Sequence, residues 1–238
     1  MITQCTSVPA TPVEAGEFGP DALSVAAAGL QLLSFAYWPE TPPEEPEPVA
    51  GFIDSSFNPL VAAVADRCLS RRYGRPPVPD PVLATRTAVL LASSGWDQTT
   101  ANALAHAVQE GKRVPTLLFF QSNPNAILGH VAAKWGLGGP VVCVGAVPSD
   151  LTQDIDQERG PVAMLADVLA EALTEAALVI DDGDADEALV IVAEQGGTTV
   201  QRDSAVAVLV ARDDTARPRQ ATPTADMTAR TTFKGRIR

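Results

Sequence analysis

Aromatic side chains make up only 5% of the 238 residues, and there are two histidines and three cysteines. Each scarcity excludes something. Cys5, Cys68 and Cys143 are scattered and odd in number, which fits neither a disulfide framework nor a zinc spacing, so no metal or cofactor is expected. No run of about 18 apolar residues occurs without a charge, which argues against a membrane-spanning helix. The opening stretch, MITQCTSVPATPVEAGEFGPD, has neither a basic start nor an apolar core, so it does not read as a secretory signal, and a cytoplasmic protein is expected. Basic residues are also few: 17 Lys and Arg against 29 Asp and Glu give a formal charge of −12. That balance argues against a nucleic-acid backbone as partner and makes a poor docking face for other acidic proteins.

What remains is 46% hydrophobic, mostly alanine and valine. Small and β-branched residues suit helices packed closely on a buried sheet. Residues 22–38 form an apolar stretch that could be strand or helix. PETPPEEPEPV at 39–49, with five prolines and four glutamates, can only be a loop or linker. Phe57 to Tyr73 has helical spacing, with Leu60, Val61, Val64, Cys68 and Leu69 on one face. TAVLLAS at 87–93 reads as a buried strand. A helix is expected over 96–110, capped by Asp97 and closed by Gly111, and another over 125–135. PVVCVGA at 140–146 reads as a further buried strand, and 162–180 as the longest helix. Two strands follow, at 186–194 and 204–212. Strands alternating with helices, then a closing strand pair, indicate an α/β layer fold with a mostly parallel sheet.

Three regions emerge: a disordered segment at 1–21, a folded domain at 22–214 and a basic, flexible tail at 215–238. In the last, Arg217, Arg219, Arg230, Lys234, Arg236 and Arg238 stand against Asp226 alone, a net of +5. A solvated tail and an electrostatic tether to an acidic partner are both open readings.

NAILGHVAAKWGLGGP at 125–140 resembles the β-ketoacyl synthase segment N-x-x-x-G-[HQ]-[IVL]-x-x-x-x-G-[LM]-x-G-P. Asn125, Gly129, His130, Gly136, Leu137, Gly139 and Pro140 match at the family's spacing. GDADEALVIVAE at 183–194 resembles a second family stretch. RTAVLLASSGWD (86–97) and DSAVAVLVAR (203–212) are further, weaker likenesses in the family's order. The resemblance implies half of a thiolase-like fold: a mostly parallel five-stranded sheet with helices on its faces. It also implies the class of short chain-length factors that accompany catalytic ketosynthases in type II polyketide and fatty-acid-like pathways.

The family's chemistry needs a cysteine nucleophile at a helix N-terminus, where the dipole lowers the thiol pKa. Counting eight residues beyond Gly139-Pro140 reaches Pro148, and aligning back from Gly183 reaches Ala166. The two counts differ because about eighteen residues around 147–164 appear as an insertion. Neither position holds a thiol. The family's catalytic histidines belong to the half that this sequence does not match. His106 and His130 fall on helices and read as surface and packing residues. Cys143, inside an apolar strand, reads as a small core residue, or else as a displaced nucleophile. Ser93-Ser94-Gly95 lacks a nucleophile-elbow context. The acidic run 181–186 lacks the calcium-loop pattern and reads as a solvated turn.

By resemblance, the strand Val141–Ala146 (Val141, Val142, Cys143, Val144, Gly145 and Ala146), with Asn125 and Gly129, would face a catalytic ketosynthase subunit in a heterodimer. Acyl carrier protein would dock mainly on that partner. Leu118, Phe119 and Phe120, just before the Asn125 helix, would reach the partner's acyl tunnel, with Trp96 as a second wall. The same rings could instead fill this chain's own core. The resemblance thus implies a non-catalytic subunit that limits chain growth by shape. A diverged acyltransferase or thioesterase using Cys143 and a purely structural partner are the competing functions.

Overall fold

The computed structural model describes residues 25–41, 44–145, 161–196 and 203–213. The expected flexible segments at 1–21 and 215–238 lie outside these, as do Ala146 and most of the 147–164 insertion. A short 3-10 turn at Ala26–Ala28 leads into β1 (Leu30–Trp38). The ambiguous stretch is therefore a strand, preceded by a turn that ends at Gly29 with φ of 70°. Then come α1 (Phe57–Tyr73), α2 (Pro81–Thr85), β2 (Thr87–Ser93), α3 (Gln98–Gln109), α4 (Thr116–Gln121), α5 (Pro124–Trp135), β3 (Val141–Gly145), α6 (Pro161–Asp181), β4 (Glu187–Glu194) and β5 (Ser204–Arg212).

The five strands form one sheet in the order β1-β5-β4-β2-β3. β2 pairs in parallel with both β3 and β4, whereas β5 runs antiparallel to β4 and to β1. Four of the five strands thus point the same way. The reversal at β5 follows from chain length: the 195–203 link is shorter than the dozen or more residues a parallel crossover needs.

Alternation along the strands sorts side chains onto two covered faces. Val89, Leu91, Leu189, Ile191, Ala207 and Leu209 pack with α1 and α5. Ala88, Leu90, Val190, Val192, Val206 and Val208 pack beneath α6, whose Leu165, Val168, Leu169, Ala172 and Leu173 are all buried. The result is a three-layer α/β/α domain.

β3 departs from the expected buried strand. Among the described residues it lies at the sheet edge with β2 on one side only, and of its residues only Val144 is buried. The strand is where it was expected, but apolar composition alone does not distinguish a central strand from an edge that a second molecule could cover.

The matched glycines have different physical causes. A Cβ on Gly139 would stand 2.5 Å from the Thr87 carbonyl oxygen, so the chain must pass β2 backbone-to-backbone there. A Cβ on Gly129 would meet nothing within 4 Å. Gly139→Ala should therefore lower stability by about 1–3 kcal/mol. Gly129→Ala, inside a helix, should be neutral or stabilising by up to about 1 kcal/mol. Urea unfolding midpoints of the two variants check both signs.

Candidate partner-facing edge and chain-end gate

The strand ends at Ser93 and Glu194 and the N-termini of α1 and α3 meet at one end of the sheet, where Asp97 is the hub. As N-cap of α3, its carboxylate accepts from the Thr100 backbone N–H at 2.9 Å. It also accepts from the Thr100 hydroxyl (2.6 Å), the Ser55 hydroxyl (2.8 Å) and Asn58 Nδ2 (2.8 Å). Asn58 and Thr100 are buried, and among the described residues no buried side-chain polar atom lacks a partner. Thr100 Oγ1 in turn accepts from Gln121 Nε2 at 2.8 Å.

Gln121, the last residue of α4, is buried and bonds both backbone groups of Ile53: its Oε1 accepts from the N–H at 2.9 Å and its Nε2 donates to the carbonyl. α4 is thereby held to α3 and to the loop before α1 through one amide. What α4 presents is unusual for so short an element. Leu118 is buried, but Phe119 and Phe120 are 67% and 63% exposed, and Leu117 is also exposed. Their rings meet edge-to-face with centroids 6.1 Å apart. The phenylalanines do not fill this chain's own core, which removes that reading of them.

Trp96 is placed differently. It is half-buried, packs against the core on the α1 face and has a φ of 55°; its N–H donates to Ser93 Oγ at 2.8 Å. The left-handed conformation at Trp96 is why α3 starts at Gln98 rather than at 96.

Asn125 and Gly129 both lie exposed on α5. The Cys143 thiol donates to Asn125 Oδ1 at 3.1 Å, linking α5 to the edge strand. Cys143 is exposed, which corrects its expected core position: at an edge, every second residue has no second layer above it. Partial burial nevertheless pushes its thiol pKa above the ordinary value. Cys68, by contrast, is buried and its thiol is pushed up to about 12.

Among the described residues, the groups that could suggest catalysis are engaged in other contacts. Ser94 donates its N–H and its hydroxyl to the Glu194 carboxylate at 2.6 and 2.9 Å, a turn-closing arrangement with no histidine in it. His106 is exposed near Glu110, and His130 packs edge-to-face on Phe52. Of the acidic run, Asp186 is held by a bidentate ion pair with Arg86 at 2.7 and 2.8 Å, which keeps its carboxyl below the usual range. No group of three or more metal-ligating side chains comes together among the described residues, and no helix among them is long and apolar enough to cross a membrane. The first turns of α6, from Pro161 to Ala166, contain no thiol.

A raised pKa means less thiolate at neutral pH, because the protonated form persists to higher pH. Cys143 should therefore react with iodoacetamide at pH 7 more slowly than free cysteine despite its exposure. Its rate should climb as pH passes the ordinary thiol range, while Cys68 stays unmodified in the folded protein. Peptide mass spectrometry over a pH series reads both.

No family model and no curated protein matches the chain. Solved structures do match in fold. One chain from "Ketosynthase (ApeO) in Complex with its Chain Length Factor (ApeC)" of Xenorhabdus doucetiae aligns with a TM-score of 0.53 and 15% identity, covering 78% of this chain and 79% of that one. The ishigamide ketosynthase/chain length factor aligns at 0.51 with 18% identity, covering 75% of this chain and 49% of that chain. A β-ketoacyl synthase from Burkholderia phymatum STM815 aligns at 0.51 with 14% identity, covering 73% and 47%. The chain thus has the fold of these thiolase-like proteins and spans about half the length of the latter two.

Proposed function

We propose, from the fold shared with ketosynthase and chain-length-factor structures, that this chain is a non-catalytic subunit of a catalytic ketosynthase. It acts in a type II polyketide or fatty-acid-like synthase and sets how long the acyl chain grows. β3 and the Asn125–Gly129 face of α5 form the contact, and α4 delivers Phe119 and Phe120 to the partner's acyl tunnel. Acyl carrier protein docks mainly on the partner, since a chain of net charge −12 repels an acidic carrier.

The observation that carries this reading is the pair of solvent-facing phenylalanines on an anchored helical turn. They adjoin the helix that touches an apolar edge with no strand partner among the described residues. Exposing two such rings costs solubility unless another surface covers them. A bulky ring at the end of a close-packed tunnel stops growth sterically. The sequence supports inactivity, since no thiol occupies either aligned nucleophile position or the start of α6. Catalysis by Cys143 is disfavoured by its raised pKa and by its neighbour, an amide oxygen that cannot act as a base.

With a catalytic ketosynthase as partner, Phe119→Ala and Phe120→Ala should lengthen the product by at least one extender unit at unchanged complex yield. Mass spectrometry of the acyl products reads this. Unchanged products at normal yield would reject the gate and leave a structural partner. Gly129→Leu should fold normally yet abolish the complex on a sizing column.

A further inference from the structure

A groove of about 1340 Å³ opens between the loop 44–56 and the start of α1, with Thr99 of α3 and Asp203 also lining it. Its apolar surfaces come from Trp38, Val49, Phe52 and Pro59. Its charged lining is of one sign: Glu44, Glu45, Asp54 and Asp203, with no Lys, Arg or His among the described residues that line it. Two of these are already engaged. Glu44 pairs with Arg67 at 2.6 Å, and Asp203 accepts from Ser56 and Gly196. Glu45 and Asp54 are exposed and have no hydrogen bond or ion pair among the described residues, and the same is true of Glu47 on the adjoining groove of about 510 Å³. The loop is held near both ends, Glu44 by Arg67 and Ile53 by two hydrogen bonds to Gln121. The groove is therefore a standing feature with unneutralised carboxylates above an apolar floor.

The chain holds a complementary strip. Residues 233–238 read Phe-Lys-Gly-Arg-Ile-Arg. At extended period, Lys234, Arg236 and Arg238 fall on one side and Phe233 and Ile237 on the other. Reach is ample. Arg212 and Trp38 lie at opposite ends of the β1–β5 pairing, roughly 25 Å apart at strand spacing. Nineteen residues separate Asp213 from Phe233. Extended, they span up to about 65 Å. Tethering makes the encounter intramolecular, with an effective concentration of order millimolar.

We propose that Phe233–Arg238 docks in this groove of its own chain, its cations on Glu45, Glu47 and Asp54 and its apolar residues on the Trp38–Phe52 floor. The contact uses neither β3 nor the phenylalanines of α4, and beside Glu47 the adjoining groove is also lined by Arg67, already paired with Glu44, and by His130 and Lys134 of α5, the latter paired with Asp66. It gives the basic segment an internal acidic partner in place of an external one.

The test is limited trypsin digestion of the full chain, in whatever assembly it purifies, followed by mass spectrometry. At low salt, cleavage after Lys234 and Arg236 should be about tenfold slower than in a free peptide of residues 229–238, and 0.5 M salt should remove the difference, because screened surface pairs weaken. Glu45→Lys with Asp54→Lys should also remove the protection. Neither side chain has a partner among the described residues, so the variant should fold. Docking should also slow amide exchange at residues 44–53 of the natural chain; the groove variant should lose that protection, and adding Lys234→Glu and Arg236→Glu to it should restore it. Equal cleavage in the natural chain and the groove variant would overturn the proposal. So would protection that increases with protein concentration, which would make a second copy the occupant.

Discussion

A strand edge with no strand partner among the described residues governs this molecule. β3 is bonded to β2 along one side, and Val141 and Cys143 are exposed. Backbone donors and acceptors along such an edge template pairing with another chain, and proteins usually blunt them with charge, proline or a covering element. Val-Val-Cys-Val-Gly has no charge and no proline. Outward amides can be satisfied by water, but the apolar side chains cannot. A second polypeptide resolves both at once, and the α5 face beside the strand, small at Gly129 and polar at Asn125, leaves room for one.

The interior is built so that this surface stays in place. Both sheet faces are sealed, one by α1 and α5 and the other by α6, so little of the domain is free to rearrange. At the end of the sheet, Asp97 ties the starts of α1 and α3, and Thr100 passes that connection to Gln121. Through Gln121, a six-residue helix acquires anchorage that its own few backbone bonds could not supply. In the proposed role, a ring that stops a growing chain has to hold its position against that chain. The buried amide supplies such rigidity, whereas a loop carrying the same phenylalanines would yield.

Much of this was legible in the residues. Helical periodicity located α1 from Phe57 to Tyr73, and a seven-residue apolar run located β2. Asp97 announced the cap of α3. Gly139 in the family-like segment has a reason in the fold, the close passage over Thr87. Other features were hidden because they depend on distant neighbours. The exposure of Cys143 is set by what does not flank β3, which no local pattern encodes. α4 escaped notice because Thr-Leu-Leu-Phe-Phe-Gln is too short to show a period, and the Gln121 contact to Ile53 spans 68 residues. That buried amide could have been suspected only from a lone glutamine ending an apolar run. The direction of β5 required counting the link before it rather than reading the strand.

Amide hydrogen exchange across Val141–Gly145, measured on the free chain and on its complex with a catalytic ketosynthase, tests the central claim most directly. The account predicts that the outward amides of β3 slow by about a hundredfold or more in the complex, as ladder-bonded amides do. Equal exchange rates in the two states would show that the edge is not where this protein meets its partner.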